Sequence, residues 1–128
     1  MDKHNGILLC IRERVNKTMD DQSKVYFTIN EKNEEMHKMY DFLMEKKWHE
    51  LDDAIVSWNV AYTSLYAVYN KIKEVEEIIN YKNKNESKMD NGFRNIIKES
   101  AKSCKKQIKI NSELYKALNA INQVQNNF

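Results

Sequence analysis

Trp48, Leu51, Ile55, Trp58, Tyr62, Leu65, Tyr69 and Ile72 follow one another at alternating spacings of three and four residues. Side chains so spaced share one face of an α-helix. The pattern predicts a helix over about 48–79, on the order of 45–50 Å long at ~1.5 Å per residue. A second row, Ala54, Ala61, Val68 and Val75, runs beside the first. Its small side chains let a neighbouring backbone come close. A stripe this wide suits a helix packed against at least two others better than a two-stranded zipper.

The flanking segments are helical by the same test. Ile7, Ile11, Val15 and Met19 recur every four residues with Leu8 alongside, predicting a helix over about 7–21. Asp20, Asp21, Gln22 and Ser23 interrupt it, and Thr28 with Glu31 has capping-box spacing, so a second helix is expected from about Ile29 to Lys46. It would bury Ile29, Met36, Met39, Tyr40 and Leu43. The alternative is a helix continuing through Lys24–Phe27, since no Gly or Pro forbids it. Residues 80–92 are polar throughout and end in Asn-Gly, which reads as a loop. A last helix is expected over about 93–125, with Phe93, Ile96, Ile110, Leu114, Ala117, Ile121 and Val124 in one row. Ser100, Ser103 and Gln107 break that row in the middle, where Ile97, Ala101, Cys104 and Ile108 lie alongside, so the buried face is expected to rotate. The junction Glu45–Trp48 carries no turn signature, which leaves open one continuous helix over 29–79.

The expectation is therefore a single all-α domain over residues 1–128, an antiparallel three- to four-helix bundle with two long helices. Composition agrees: 128 residues, 41% hydrophobic, no proline and two glycines. Such a chain lacks the residues that break helices and form hairpin turns.

A net charge of +2 does not mark a polyanion-binding protein, but the charge is unevenly spread. Residues 31–53 carry four Lys or Arg against eight Asp or Glu, a balance of −4; residues 93–128 carry seven against two, a balance of +5. An acidic helix beside a basic one accounts for this. Cys10 and Cys104 are far apart and sit in apolar patterns, as buried free thiols do. The apolar run Ile7–Ile11 ends at once in Arg12, Glu13 and Arg14, so no secretory signal is readable. No run approaches the roughly 20 apolar residues of a membrane span. A cytoplasmic location is expected.

Reactive chemistry has little footing. Glu34 and His37 give one Glu-x-x-His, whereas a di-iron bundle needs two such pairs and two more glutamates. Glu50, Asp52 and Asp53 beside His49 read as a solvated helix start. No glycine-rich phosphate loop exists, and neither cysteine has a histidine or asparagine close by in sequence. No catalytic residue, metal or cofactor is expected. Two binding faces remain. Lys98, Lys102, Lys105 and Lys109 fall on one side of the last helix with Lys106 alongside, a ridge that could meet phosphates, although no aromatic residue interleaves with it in sequence. Trp58, Tyr62, Tyr66 and Tyr69 are candidates for partner contact, Tyr66 adding aromatic area off the main seam.

IRERV (11–15), SKVYFTINEKNEEM (23–36) and MYDFLMEKKWHELDDAIVSW (39–58), in that order, resemble the C-terminal helical bundle of steroid receptor RNA activator protein. The same domain closes the larger outer-coat subunit of COPII vesicles. Trp48, Asp52, Asp53, Ser57, Val60 and Tyr69 fall at positions matching that family, while residues 93–128 have no counterpart in it. The resemblance implies a non-catalytic bundle that binds proteins, with a chain break before Trp48. The order MYDFLMEKKWHEL…VSW is also similar to flagellar export chaperones of the FliT type, small helical proteins that shield a partner helix.

These readings converge on a non-enzymatic protein-interaction module, an adaptor or assembly subunit, with a trafficking role if the first resemblance is followed. An export chaperone is the first alternative; a nucleic-acid-binding accessory protein using the lysine ridge is the second. The expected partner is another protein, engaged through a helix, with self-association open and no membrane insertion.

Overall fold

The computed structural model describes residues 3–85 and 91–127, with the side chains of residues 6, 9–81, 92 and 94–127. They form four helices: α1 (Lys3–Glu34), α2 (Met36–Met44), α3 (Trp48–Asn85) and α4 (Asn91–Asn126). No strand occurs among the described residues. The protein is an all-α bundle of three long arms, with α1 and α2 as the two pieces of the first.

Cross-helix contacts fix the directions. Arg14 meets Glu74 at 2.7 Å, Asp21 meets Lys71 at 3.6 Å, and Trp58 Nε1 donates to Asn33 Oδ1 at 2.9 Å, so α1 and α3 are antiparallel. Gln125 Nε2 donates to Asp52 Oδ1 at 2.7 Å, and the Cys104 thiol points at the Leu65 carbonyl, so α3 and α4 are antiparallel as well. α4 thus runs alongside α1 in the same direction.

The first arm takes the alternative course, a helix continuing through Lys24–Phe27. Residues 20–23 do not break α1; Gln22 turns inward, only 5% exposed, and joins the interior by hydrogen bonds. The capping box is absent: Thr28 Oγ1 donates to the Lys24 carbonyl one turn back, as a hydroxyl inside a helix does. The interruption falls instead at Glu35, whose N–H is shared between the Glu31 and Lys32 carbonyls, both at 3.2 Å. Beyond it, α2 buries Met39 and Leu43 and half-buries Met36, while Tyr40 remains 57% exposed.

A tight turn separates α2 from α3. Lys46 has φ 58°, Lys47 N–H donates to the Phe42 carbonyl at 2.8 Å, and Lys46 N–H donates to Leu43 at 3.2 Å. This 6→1 and 5→2 pair closes a helix end on a left-handed residue. Glycine usually takes that position; with lysine there, sequence carries no turn signal. At the other end α3 continues to Asn85, so residues 80–85 of the expected loop are helical, and residues 86–90 lie outside the described residues.

Two apolar clusters fill the bundle. Ile11, Val15, Leu65, Val68, Ile72, Val75, Ile79, Ile97, Ala101 and Cys104 form an aliphatic one. Ile29, Met39, Leu43, Leu51, Trp58, Ala61 and Leu118 form another around the indole. Gln22 bridges α1 and α4 at one side: its Nε2 donates to the Ser100 carbonyl and the Tyr26 hydroxyl, and Ser100 Oγ donates to its Oε1 at 2.6 Å. Fully burying one Leu or Ile stabilises by about 1.5–3 kcal/mol, so the predicted α3 seam accounts for much of the packing.

On α4 the buried face does not rotate. Ile97, Cys104, Asn111 and Leu118, each at most 1% exposed, hold one seven-residue phase along its length. Of the row expected to be buried, Ile96, Ile110, Ala117 and Val124 are exposed, and Leu114 and Ile121 are half-buried. Phe93 lies outside the described side chains. The fold selected the row containing Cys104 and Asn111, which a hydropathy count ranks lower.

Candidate functional site

α3 and α4 together bring the tyrosines and lysines to one place. Tyr62 stacks on Trp58 with ring centroids 5.0 Å apart and on Tyr115 of α4 at 5.6 Å, the latter pair nearly parallel at 10°. Tyr66 meets Tyr62 edge-on at 5.2 Å and 87°. Offset stacks and edge-to-face contacts suit the ring quadrupole, so the rings of this ladder pack favourably on one another. Its outer end is open: Tyr66 is 43% and Tyr115 39% exposed.

From that end a groove of about 570 Å³ runs between the two helices. Tyr66 and Ile108 give it an apolar floor, while Lys102, Lys105, Lys106 and Lys109 rim it with Ser112 and Glu113. Lys102 sits 3.7 Å from Glu99, and Glu113 is paired with Lys116 at 3.1 Å. No carboxylate lies within ion-pairing distance of Lys105, Lys106 or Lys109 among the described residues. One aromatic ring, Tyr66, reaches the lysine ridge from across the α3–α4 interface.

The Tyr62 hydroxyl donates to that of Tyr66 at 3.5 Å. Burial first, then the neighbouring Tyr66 hydroxyl, pushes Tyr62 up from 10.0 to about 12. It stays a neutral hydrogen-bonding group and supplies no general base at neutral pH.

The candidate residues divide accordingly. Trp58 is 0% exposed, with its N–H held by Asn33, and serves as the anchor of the ladder. Tyr69 is half-buried against the aliphatic cluster, and Tyr62 is half-buried within the ladder. Tyr66 alone of the four is a surface residue. All four ridge lysines are exposed; Lys102, Lys105 and Lys109 line the groove, and Lys98 does not. Sequence reading missed Tyr115, whose only signal is that an antiparallel α3–α4 hairpin brings it level with Tyr62.

Elsewhere the chemistry is sparse. Among the described residues no group of three or more His, Cys, Asp or Glu side chains is placed to hold a metal ion. Among the described residues one histidine is paired with a carboxylate, His49 with Asp53 at 3.4 Å, both largely exposed. Cys10 is exposed, whereas Cys104 is buried. No helix among the described residues is long and apolar enough to cross a membrane. In comparison with known proteins, the chain matches no family model, no curated protein and no solved structure.

Proposed function

We propose that this protein is a non-catalytic helical-bundle interaction module that takes a helix of a partner protein into the Tyr66–lysine groove. The observation that carries this reading is the coincidence of an open aromatic floor with three lysines that lack an acidic neighbour. An amphipathic helix with acidic flanks answers both features: its apolar side covers Tyr66 and Ile108, and its carboxylates meet Lys105 and Lys109. Lysines four residues apart on α4 match carboxylates at helical spacing on a second helix. Such a site would serve either an adaptor or assembly role or a chaperone role, the two roles that the resemblances imply.

Nucleic acid is the other class able to use stacked rings and lysines. Here one tyrosine is open at the groove, so successive bases find no continuous platform. The test is fluorescence titration with three labelled probes. These are a designed amphipathic helix with leucine anchors and glutamate flanks, its lysine-flanked counterpart, and a single-stranded oligonucleotide. The acidic helix should bind best, weaken with added salt, and lose roughly tenfold or more in affinity with Tyr66→Ala or with Lys105→Glu. Equal binding of the two helices overturns the reading, and tighter binding of the oligonucleotide replaces it with the nucleic-acid one.

A further inference from the structure

α4 carries a second row, apolar except at Ser103, that the fold leaves largely uncovered. Towards its N-terminal end Ile96 and Ser103 border a cleft against α1, where Ser103 Oγ and the Tyr26 hydroxyl are hydrogen-bonded at 2.9 Å. Ile96, Ile110 and Val124 are 47%, 46% and 43% exposed, and Ser103 and Ala117 between them are exposed too. The five positions keep strict seven-residue spacing, with half-buried Leu114 and Ile121 along one edge. They lie one residue before the buried Ile97–Cys104–Leu118 phase, about a quarter turn of helix away. Lys105 of the groove is nine residues beyond Ile96, roughly on the opposite side of α4. The apolar row itself therefore lies outside both the core and the Tyr66 groove, while Lys106 and Glu113 stand on the edge between the row and that groove.

About Ile110 the row is matched in side-chain size, small beside the centre and β-branched at the ends. Ser103 and Ala117 stand seven residues to either side, and Ile96 and Val124 fourteen. Lys106 precedes Ile110 by four residues and Glu113 follows it by three, both exposed. When α4 lies antiparallel on another α4 centred there, Ile110 meets Ile110, Ser103 meets Ala117, and Ile96 meets Val124. Lys106 then falls beside Glu113 of the second copy, and the reciprocal pair repeats it. A parallel pairing puts Lys106 and Glu113 on opposite edges of the seam from their copies, with no oppositely charged partner, so the two ion pairs favour the antiparallel direction.

We propose that this protein forms an isologous dimer through antiparallel α4 helices, with Ile110 on the two-fold axis. Closed two-fold symmetry is the commonest way for one chain to cover its own exposed face. The row runs for four heptad steps, or about 42 Å at ~1.5 Å per residue, the length that a coiled-coil seam needs. Small residues at Ser103 and Ala117 let the helices approach on either side of the central isoleucines. The intramolecular Glu113–Lys116 pair, whose side chains are 69% and 71% exposed, is a weak competitor for Glu113.

Sedimentation equilibrium at concentrations up to on the order of 100 µM tests this. The expected mass is twice the 15.3 kDa of one chain. Ile110→Asp should weaken the dimer roughly tenfold or more, with unchanged helix content because Ile110 is exposed. Lys106→Glu should weaken it as well, and adding Glu113→Lys should restore it. With Cys10→Ser throughout, Ile110→Cys should give a disulfide-linked dimer under mild oxidation and Lys109→Cys should not. A wild-type protein that is monomeric throughout that range overturns the proposal. So does a dimer indifferent to Ile110→Asp, or a charge swap without rescue. Acidic-helix binding at the Tyr66 groove should survive Ile110→Asp, which separates this proposal from the functional one.

Discussion

α3 and α4 each carry an apolar row in near-perfect heptad phase, and the fold treats the two rows in opposite ways. The α3 row is the core: Leu51, Trp58, Leu65 and Ile72 are all 0% exposed. The α4 row from Ile96 to Val124 is surface, and α4 packs instead through Ile97, Cys104, Asn111 and Leu118. Periodicity reports that a face is apolar and shared by one side of a helix; it does not report what covers that face. α3 lies between two neighbours and spends its stripe inside the monomer. α4 touches α3 along one side and α1 more sparingly, so a second stripe is left over.

The sharpest way to break this contrast is to truncate each row at its centre. Trp58→Ala should cost about 3–5 kcal/mol, through lost burial, the unstacked Tyr62 and the freed Asn33. Ile110→Ala, measured dilute enough to keep the chain monomeric, should stay within about 0.5 kcal/mol of wild type. Urea denaturation midpoints of the two variants measure both.

The row that α4 does bury can be probed by pH. Burial pushes the Cys104 thiol up from 9.0 to about 11, so the folded state favours the protonated form more than the unfolded chain does. Its contribution is complete below about pH 9 and is lost as pH rises through about 11. On the order of 2–3 kcal/mol is involved. Urea melts across that window should show a shallower decline for Cys104→Ala than for wild type. Tyr62, with its own rise to about 12, adds a loss at higher pH that both proteins share.

The smallest effect concerns where α3 begins, since the turn at Lys46 sets the phase in which Trp48 and its followers enter the bundle. Lys46→Gly removes the strain of a non-glycine residue at φ 58° and should raise stability by about 0.5–1 kcal/mol. A decrease in the thermal midpoint would show that the left-handed turn is not the conformation in solution.

Much of the architecture was legible because it rests on repeated side-chain spacing. The α3 seam, its small-residue flank and the two long helices could all be read directly. On the first arm, sequence left a break at residues 20–23 and a continuous helix both open because Gln22 and Thr28 carry two meanings, and the helix is continuous. A polar residue after an apolar run marks a helix end only if no buried partner waits for it, and Gln22 finds Ser100 across the bundle. The α2–α3 turn was illegible because its hydrogen bonds are backbone geometry, with Lys46 where glycine signals such an end. At the groove, Tyr66 and the lysine ridge were each visible, but their meeting was not, because it depends on the register between α3 and α4. Tyr115 was overlooked for the same reason.

The central claim is that the α4 row left outside the core is a contact surface, and one NMR experiment addresses it directly. A sample mixing isotope-labelled and unlabelled chains reports only contacts between copies. Intermolecular NOEs from the methyls of Ile110, Ile96 and Val124, with none from Leu65 or Ile72, are the expected result. Contacts that begin on Val56 and Val60 at the back of α3, or a sample with no intermolecular contact at all, would contradict it.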